Sequence, residues 1–139
     1  MARLFRCMRP AADGYPEVGP SNRTLGVRPG IDVPAVNAGD TVHPGTGGVS
    51  VSPDDPMNLP SFRRPPAYGG TAKDPVWVID EIDLGPDRVY RPDPARATHG
   101  FLEPARPMSL TEYEQAVDRT RDRWQRFDPA THGGSTHDV

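Results

Sequence analysis

The apolar positions of this chain fall into short alternating runs first and a helical stripe last. In RLFRCM, Arg3–Met8, the period is two: Leu4, Arg6 and Met8 share one face and Phe5 and Cys7 the other, which predicts an opening strand. The segment HPGTGGVSVSP, His43–Pro53, predicts a second strand, with Val49 and Val51 toward a core and the hydroxyls of Ser50 and Ser52 on the opposite face. PVWVID, Pro75–Asp80, carries the continuous apolar run Val76–Ile79 and reads as a buried strand. DRVYRP, Asp87–Pro92, and THGFLEP, Thr98–Pro104, are two more candidates; alternation in the latter groups His99, Phe101 and Glu103. From Pro10 to Pro44 the Gly, Pro, Asn and Asp content erases any period, predicting a long loop with one short strand at Ile31–Val33. A second Pro-rich passage runs from Pro53 to Pro75.

The helical stripe closes the pattern. Leu110, Tyr113, Val117, Thr120, Trp124 and Phe127 recur at spacings of three and four, so one face packs on the domain and the charged remainder, Glu114 to Arg126, faces solvent. Ser109 at the start, with Glu112 three residues on, forms a capping box that satisfies two free backbone N–H groups. Trp77 and Trp124 are assigned to the core. Beyond Phe127 the tail DPATHGGSTHDV has nothing to bury and is expected to be disordered; His132 and His137 lie in it without the carboxylate or cysteine company of a metal site.

Composition changes this picture in one respect. The 139 residues suit a single domain, residues 1–127 before the tail, but an apolar share of 35% beside 14 glycines and 18 prolines predicts an ordered domain with long loops. Long irregular segments inside a compact domain usually serve function, so the Pro10–Pro44 loop is a candidate lid. The net charge of −3, with no basic run, argues against a general nucleic-acid binder. Lys73 is the only lysine among 16 basic residues, a bias that carries no function by itself. Cys7 stands alone, which excludes a disulfide framework and a cysteine-based zinc site and fits a reducing cytosol. The N-terminus lacks the apolar run of a signal peptide, no stretch is long enough to span a bilayer, and export would require dedicated machinery.

Gly47 and Gly48 pose the question of function. Glycine weakens a strand and often marks a place where something approaches the backbone closely. On the residues alone, Ser50 and Ser52 either line a site or face water from a half-buried strand. Arg6 is either a ligand-binding guanidinium or, as a plain reading, an exposed strand residue or an ion-pair partner, and His99 either a site residue or a structural histidine. Tyr68 and Arg64, between the middle strands, either clamp a ligand or pack the loop.

Three segments in order, LFR at the N-terminus, TGGVSV at Thr46–Val51, and ATHGFLEPARPMSLTEYEQAVDRTRDRW from Ala97 to Trp124, resemble the ADP-ribosyltransferase-like Tse-type toxins, small effectors associated with type VI secretion. The matched pieces cover roughly half the chain. The resemblance implies an α+β fold of two small, mainly antiparallel sheets forming a cleft, with a C-terminal helix. It implies NAD as substrate, held along the glycine-serine strand, with Gly47 and Gly48 allowing the nucleotide near the backbone. Arg6 matches the first-strand residue that contacts the nucleotide; a guanidinium fork suits phosphate. Ser50 would orient the ribose or a neighbouring catalytic side chain, and Tyr68 would lie against the ligand. The late-strand glutamate of such enzymes falls nearest to His99 here, with Glu103 at the strand end. Either Glu103 supplies the charge that stabilises the oxocarbenium-like centre, or catalysis is weak, or the domain binds without reacting. A cytosolic toxin transferring ADP-ribose to a macromolecule, or hydrolysing NAD, is therefore expected, together with a neutralising immunity or antitoxin protein. The alternative is a non-catalytic module of the same fold acting through a protein partner; a Pro-rich interaction protein working through Arg63–Tyr68 is a third reading.

Overall fold

The structure is a computed structural model and describes residues 1–128. The tail, including His132 and His137, lies outside the described residues. Five strands form where the alternation predicts them, β1 (Arg3–Cys7), β3 (Val49–Pro53), β4 (Val76–Asp80), β5 (Arg88–Pro92) and β6 (Gly100–Pro104); three two-residue strands, β2 (Thr41–Val42), β7 (Met108–Ser109) and β8 (Gln125–Arg126), fall where the sequence predicts loop or helix, and there is one α-helix among the described residues, α1 (Leu110–Asp118). All pairings between these strands are antiparallel. Six strands form one sheet in the order β5-β6-β3-β1-β4-β8, and β2 with β7 makes a separate ribbon. The sheets are therefore unequal, six strands and two, where the sequence suggests two small sheets.

The register of β3 organises the site. Its C-terminal end pairs with β1, Pro53 opposite Leu4 and Ser52 opposite Phe5, while its N-terminal part, Val49–Val51, pairs with β6. Beyond Phe5 and Ser52 the β1–β3 ladder stops, so β1 continues beside β4 and β3 beside β6. A seam opens between them.

One face of the sheet is covered by α1. Leu4, Met8, Val49, Val51, Trp77, Ile79 and Leu102 pack there with Leu110, Tyr113 and Val117 of the helix, together with Leu25, Val27 and Trp124. The opposite face carries a smaller cluster of Phe5, Leu59 and Val76, against which Tyr68, Val78 and Phe127 pack. The capping box is present: the Ser109 hydroxyl accepts from Glu112 N–H at 3.1 Å and the Glu112 carboxylate accepts from Ser109 N–H at 3.3 Å.

Two predicted elements are corrected. The helix ends at Asp118, so Trp124 and Phe127 do not ride on it. Thr120 N–H turns back to Val117 O at 3.1 Å, and Ala116 O, which one more turn would bond, accepts from Arg88 Nη1 at 3.0 Å. Trp124 still reaches the core, its indole N–H donating to Thr120 Oγ1 at 3.0 Å, whereas Phe127 crosses to the other face and meets Phe5 edge-on at 5.0 Å. Ile31–Val33 is a turn: Ile31 and Asp32 N–H both donate to Arg28 O, and Ile31 is exposed. Within Pro53–Pro75 the chain winds through three short 3-10 turns, Pro56–Asn58, Ser61–Arg63 and Pro66–Tyr68, each with a proline at its start or just before it. Among the described residues no helix is long and apolar enough to cross a membrane.

Candidate functional site

Arg6 sits at the seam. Once the β1–β3 ladder stops, Ser50 O needs a donor, and Arg6 Nη1 supplies it at 2.8 Å. The other side of the guanidinium donates to Thr24 O from Nη2 at 2.8 Å and from Nε at 3.3 Å, tying the Pro10–Pro44 loop to the strand. Its partners are thus main-chain carbonyls, and among the described residues no carboxylate forms an ion pair with it. Arg6 is only 6% exposed, and burial lowers its pKa to about 10, with the charge of Asp32 partly opposing that fall. A buried cation without a contacting counter-charge is costly, and such sites are enriched in functional positions.

The seam opens into a cavity of about 390 Å³, bounded by the end of β1, by β3, by the residues before β6 and by the Pro-rich passage. Arg6, Ser50 and His99 all line it, so three separate sequence segments meet there. Ser52 lines it as well. The cavity is cationic: Arg28, Arg63 and Arg96 also border it. Arg28 is neutralised by Asp32 at 2.9 Å, and Arg96 lies 3.9 Å from Asp93. Arg63 donates to Cys7 O at 2.7 Å and to Asn22 O, and among the described residues it too has no carboxylate partner. Phe62 borders the same space with 65% of its surface exposed, an apolar ring left open beside two unneutralised guanidinium groups. Cys7 also lines the cavity, but its thiol donates to Asp74 O and burial pushes its pKa up, which favours the protonated, less nucleophilic form.

His99 precedes β6, in the loop that closes the β5–β6 hairpin. Asp93 N–H donates to His99 O at 3.0 Å, and the imidazole Nδ1 lies 2.8 Å from Asp93 Oδ2. The ring packs edge-to-face on Phe101 at 4.8 Å, and the Arg91 guanidinium lies 4.8 Å from the same phenyl centroid.

Glu103 and the two glycines come together elsewhere. The Glu103 carboxylate is 1% exposed; Oε1 accepts from Gly45 N–H and from Arg91 Nε, each at 2.9 Å, and Oε2 accepts from Gly47 N–H at 3.1 Å. It braces the turn before β3 and does not border the cavity. The reason for glycine is also internal. Gly47 has φ +123°, and a Cβ there would meet Asp32 O at 2.5 Å. At Gly48 a Cβ would run into Leu102 O and lie 2.9 Å from Tyr113 Oη. What approaches the backbone closely at these glycines is the protein itself. Tyr68 lies outside the cavity, stacking on Phe127 and donating from its hydroxyl to Phe127 O at 3.3 Å.

Of the residues singled out in the sequence, Arg6, Ser50 and His99 line the cavity; Arg63 enters the sequence reading only as part of a proline-rich interaction segment, and Phe62 and Asp93 are not singled out. The available signal was weak. Arg63 and Phe62 sit in LPSFRRPPAYGG, where nothing separates Arg63 from Arg64, and Asp93 announces only a turn through its following proline. A family model described as Tse2 ADP-ribosyltransferase toxin matches residues 2–124. No curated protein and no solved structure matches the chain.

Proposed function

The chain belongs to the Tse2 ADP-ribosyltransferase toxin family, and from that premise we propose that its cavity takes NAD and that the protein is a toxin acting in the cytosol, either transferring ADP-ribose to a macromolecule or hydrolysing NAD. The observation that carries this reading is Arg6: a guanidinium buried at the wall of a cavity that Arg63 also lines, each donating to main-chain carbonyls and neither with a carboxylate ion-pair partner among the described residues. Two such groups suit a pyrophosphate, because each can give charge-assisted hydrogen bonds to phosphate oxygens. The Ser50 side chain, on the same wall, is of the size and polarity to meet a ribose hydroxyl, and the open ring of Phe62 offers a flat surface for a base. Glu103, committed to two glycine N–H groups and Arg91, acts on the fold of the β3 turn and leaves the ribose to other groups.

Chemistry at such a site is mostly positioning. The glycosidic bond between C1′ and the nicotinamide nitrogen breaks as a nucleophile is held over C1′, and nicotinamide departs with the bonding pair. A protein that spends NAD in its own cytosol needs a neutralising partner, and an immunity protein is the partner this reading requires. The test is release of nicotinamide from NAD by the purified wild type, Arg6→Ala and His99→Ala, with and without cell lysate, each checked for folding by circular dichroism. The expected result is release by the wild type that falls at least tenfold in both variants; dependence on lysate marks a transferase. A folded wild type that neither releases nicotinamide nor binds NAD sinks the reading.

A further inference from the structure

From the loop between β5 and β6 we infer that Asp93 and His99 form a dyad in which His99 accepts the proton of the incoming nucleophile and Asp93 positions it. This rests on the reading of the cavity as a site for NAD. Both carboxylate oxygens of Asp93 are engaged: Oδ1 accepts from Ala95 N–H at 2.8 Å, and Oδ2 faces His99 Nδ1 at 2.8 Å. These bonds, the Ala95 N–H first and the His99 contact next, hold the Asp93 pKa below its ordinary value, so the carboxylate is an acceptor only. The proton between them therefore belongs to Nδ1. In the neutral ring this leaves a bare lone pair on Nε2, the polar atom of His99 left for the cavity that His99 lines.

The ring is also held against rotation. Phe101 meets it edge-to-face at 4.8 Å, Arg91 lies over that phenyl at 4.8 Å, and Arg91 is anchored by the buried Glu103 at 2.9 Å. Glu103 thus contributes to the site at two removes, through Arg91 and Phe101. The backbone pair Asp93 N–H to His99 O fixes the loop that carries both members of the dyad. An imidazole with a fixed tautomer and a fixed plane, whose Nε2 has no hydrogen-bond partner among the described residues, at the lining of a cationic cavity is built as a general base.

The step balances without another reactant. The oxygen of a water or of an acceptor hydroxyl forms the new bond to C1′, while the C1′–N bond breaks and nicotinamide leaves neutral with the bonding pair. The O–H proton passes to Nε2, and the imidazolium is stabilised by the Asp93 carboxylate until it returns the proton to solvent.

The experiment combines a spectroscopic and a kinetic reading on the full chain. Nitrogen chemical shifts of labelled histidine should show the Nδ1–H tautomer for His99 in the wild type and its loss in Asp93→Asn. Nicotinamide release at saturating NAD should fall about 100-fold or more in His99→Ala, with NAD affinity within twofold of the wild type, and added imidazole should restore part of the rate. Asp93→Asn should lower kcat and leave KM nearly unchanged. Three outcomes overturn the inference while sparing the site: an Nε2–H tautomer in the wild type, release by folded His99→Ala at the wild-type rate, or a His99→Ala defect that lies in NAD affinity and is not relieved by imidazole. A wild type that binds no NAD overturns the reading of the cavity and the dyad's role with it.

Discussion

Gly48 shows how a residue chosen for space can imitate one chosen for a ligand. Its α-carbon faces Leu102 O and the Tyr113 hydroxyl, and that hydroxyl both donates to Leu102 O and accepts from Val49 N–H at 3.2 Å. Burial pushes the Tyr113 pKa up, so the group stays a protonated hydroxyl able to do both. A methyl group at this position has nowhere to go without moving backbone. Gly48→Ala should therefore cost about 2–3 kcal/mol by the usual penalty for overpacking, measured by urea unfolding. Full wild-type stability in that variant would mean that Tyr113 and β6 yield more easily than their hydrogen bonds suggest.

At the scale of elements, α1 is short, and its start and end are set by different means. The start is local: Ser109 and Glu112 exchange side-chain and backbone hydrogen bonds within four residues. The end is tertiary, since Arg88 from β5 takes Ala116 O and, through Nε and Nη2, Leu84 O as well. Arg88 is only 5% exposed, and burial lowers its pKa, a cost met by three carbonyl contacts. Ser109→Ala should lower stability by about 1 kcal/mol, the ordinary loss of an N-cap, with helix content retained in the far ultraviolet. A loss of several kcal/mol would show that the cap also holds the β2–β7 ribbon, where Ser109 pairs with Thr41.

For the molecule as a whole, the long loops are held to the sheet largely by arginines. Arg23 forms a two-pronged pair with Asp74, at 2.7 and 2.9 Å, joining the Pro10–Pro44 loop to the chain just before β4. Arg6, Arg63 and Arg121 donate to carbonyls of the same loop. The Arg23 hydrogen bond is the main cause that lowers the Asp74 pKa below its usual 3.8. A lowered native pKa means that the unfolded state takes up the proton first as pH falls. The pair thus stabilises fully well above pH 3.8 and loses its contribution as pH drops through the lower native value. Urea midpoints measured from neutral pH down to about pH 3 should converge between wild type and Asp74→Asn as the acid is added. A constant gap across that range would show that Asp74 acts through shape and not through charge.

Local pattern in the sequence was enough for the strands β1, β3, β4, β5 and β6, the capped start of α1 and the burial of both tryptophans, because each depends on near neighbours in the chain: alternation, a capping pair, an apolar run. Arg6, Ser50 and His99 were reachable because they sit on or beside those strands. The end of the helix, the crossing of Phe127 to the second face and the turn at Ile31–Val33 were not, since each depends on a partner distant in sequence or on a loop hydrogen bond without periodicity. The same holds for the site. That β3 divides its pairing between β1 and β6, that Arg6 fills the resulting seam, that Glu103 is drawn to glycine N–H groups, and that Asp93 faces His99 all follow from register and loop closure. A strand's pattern says which face is apolar but not which neighbour it takes or where that ladder stops; only the packed sheet fixes those.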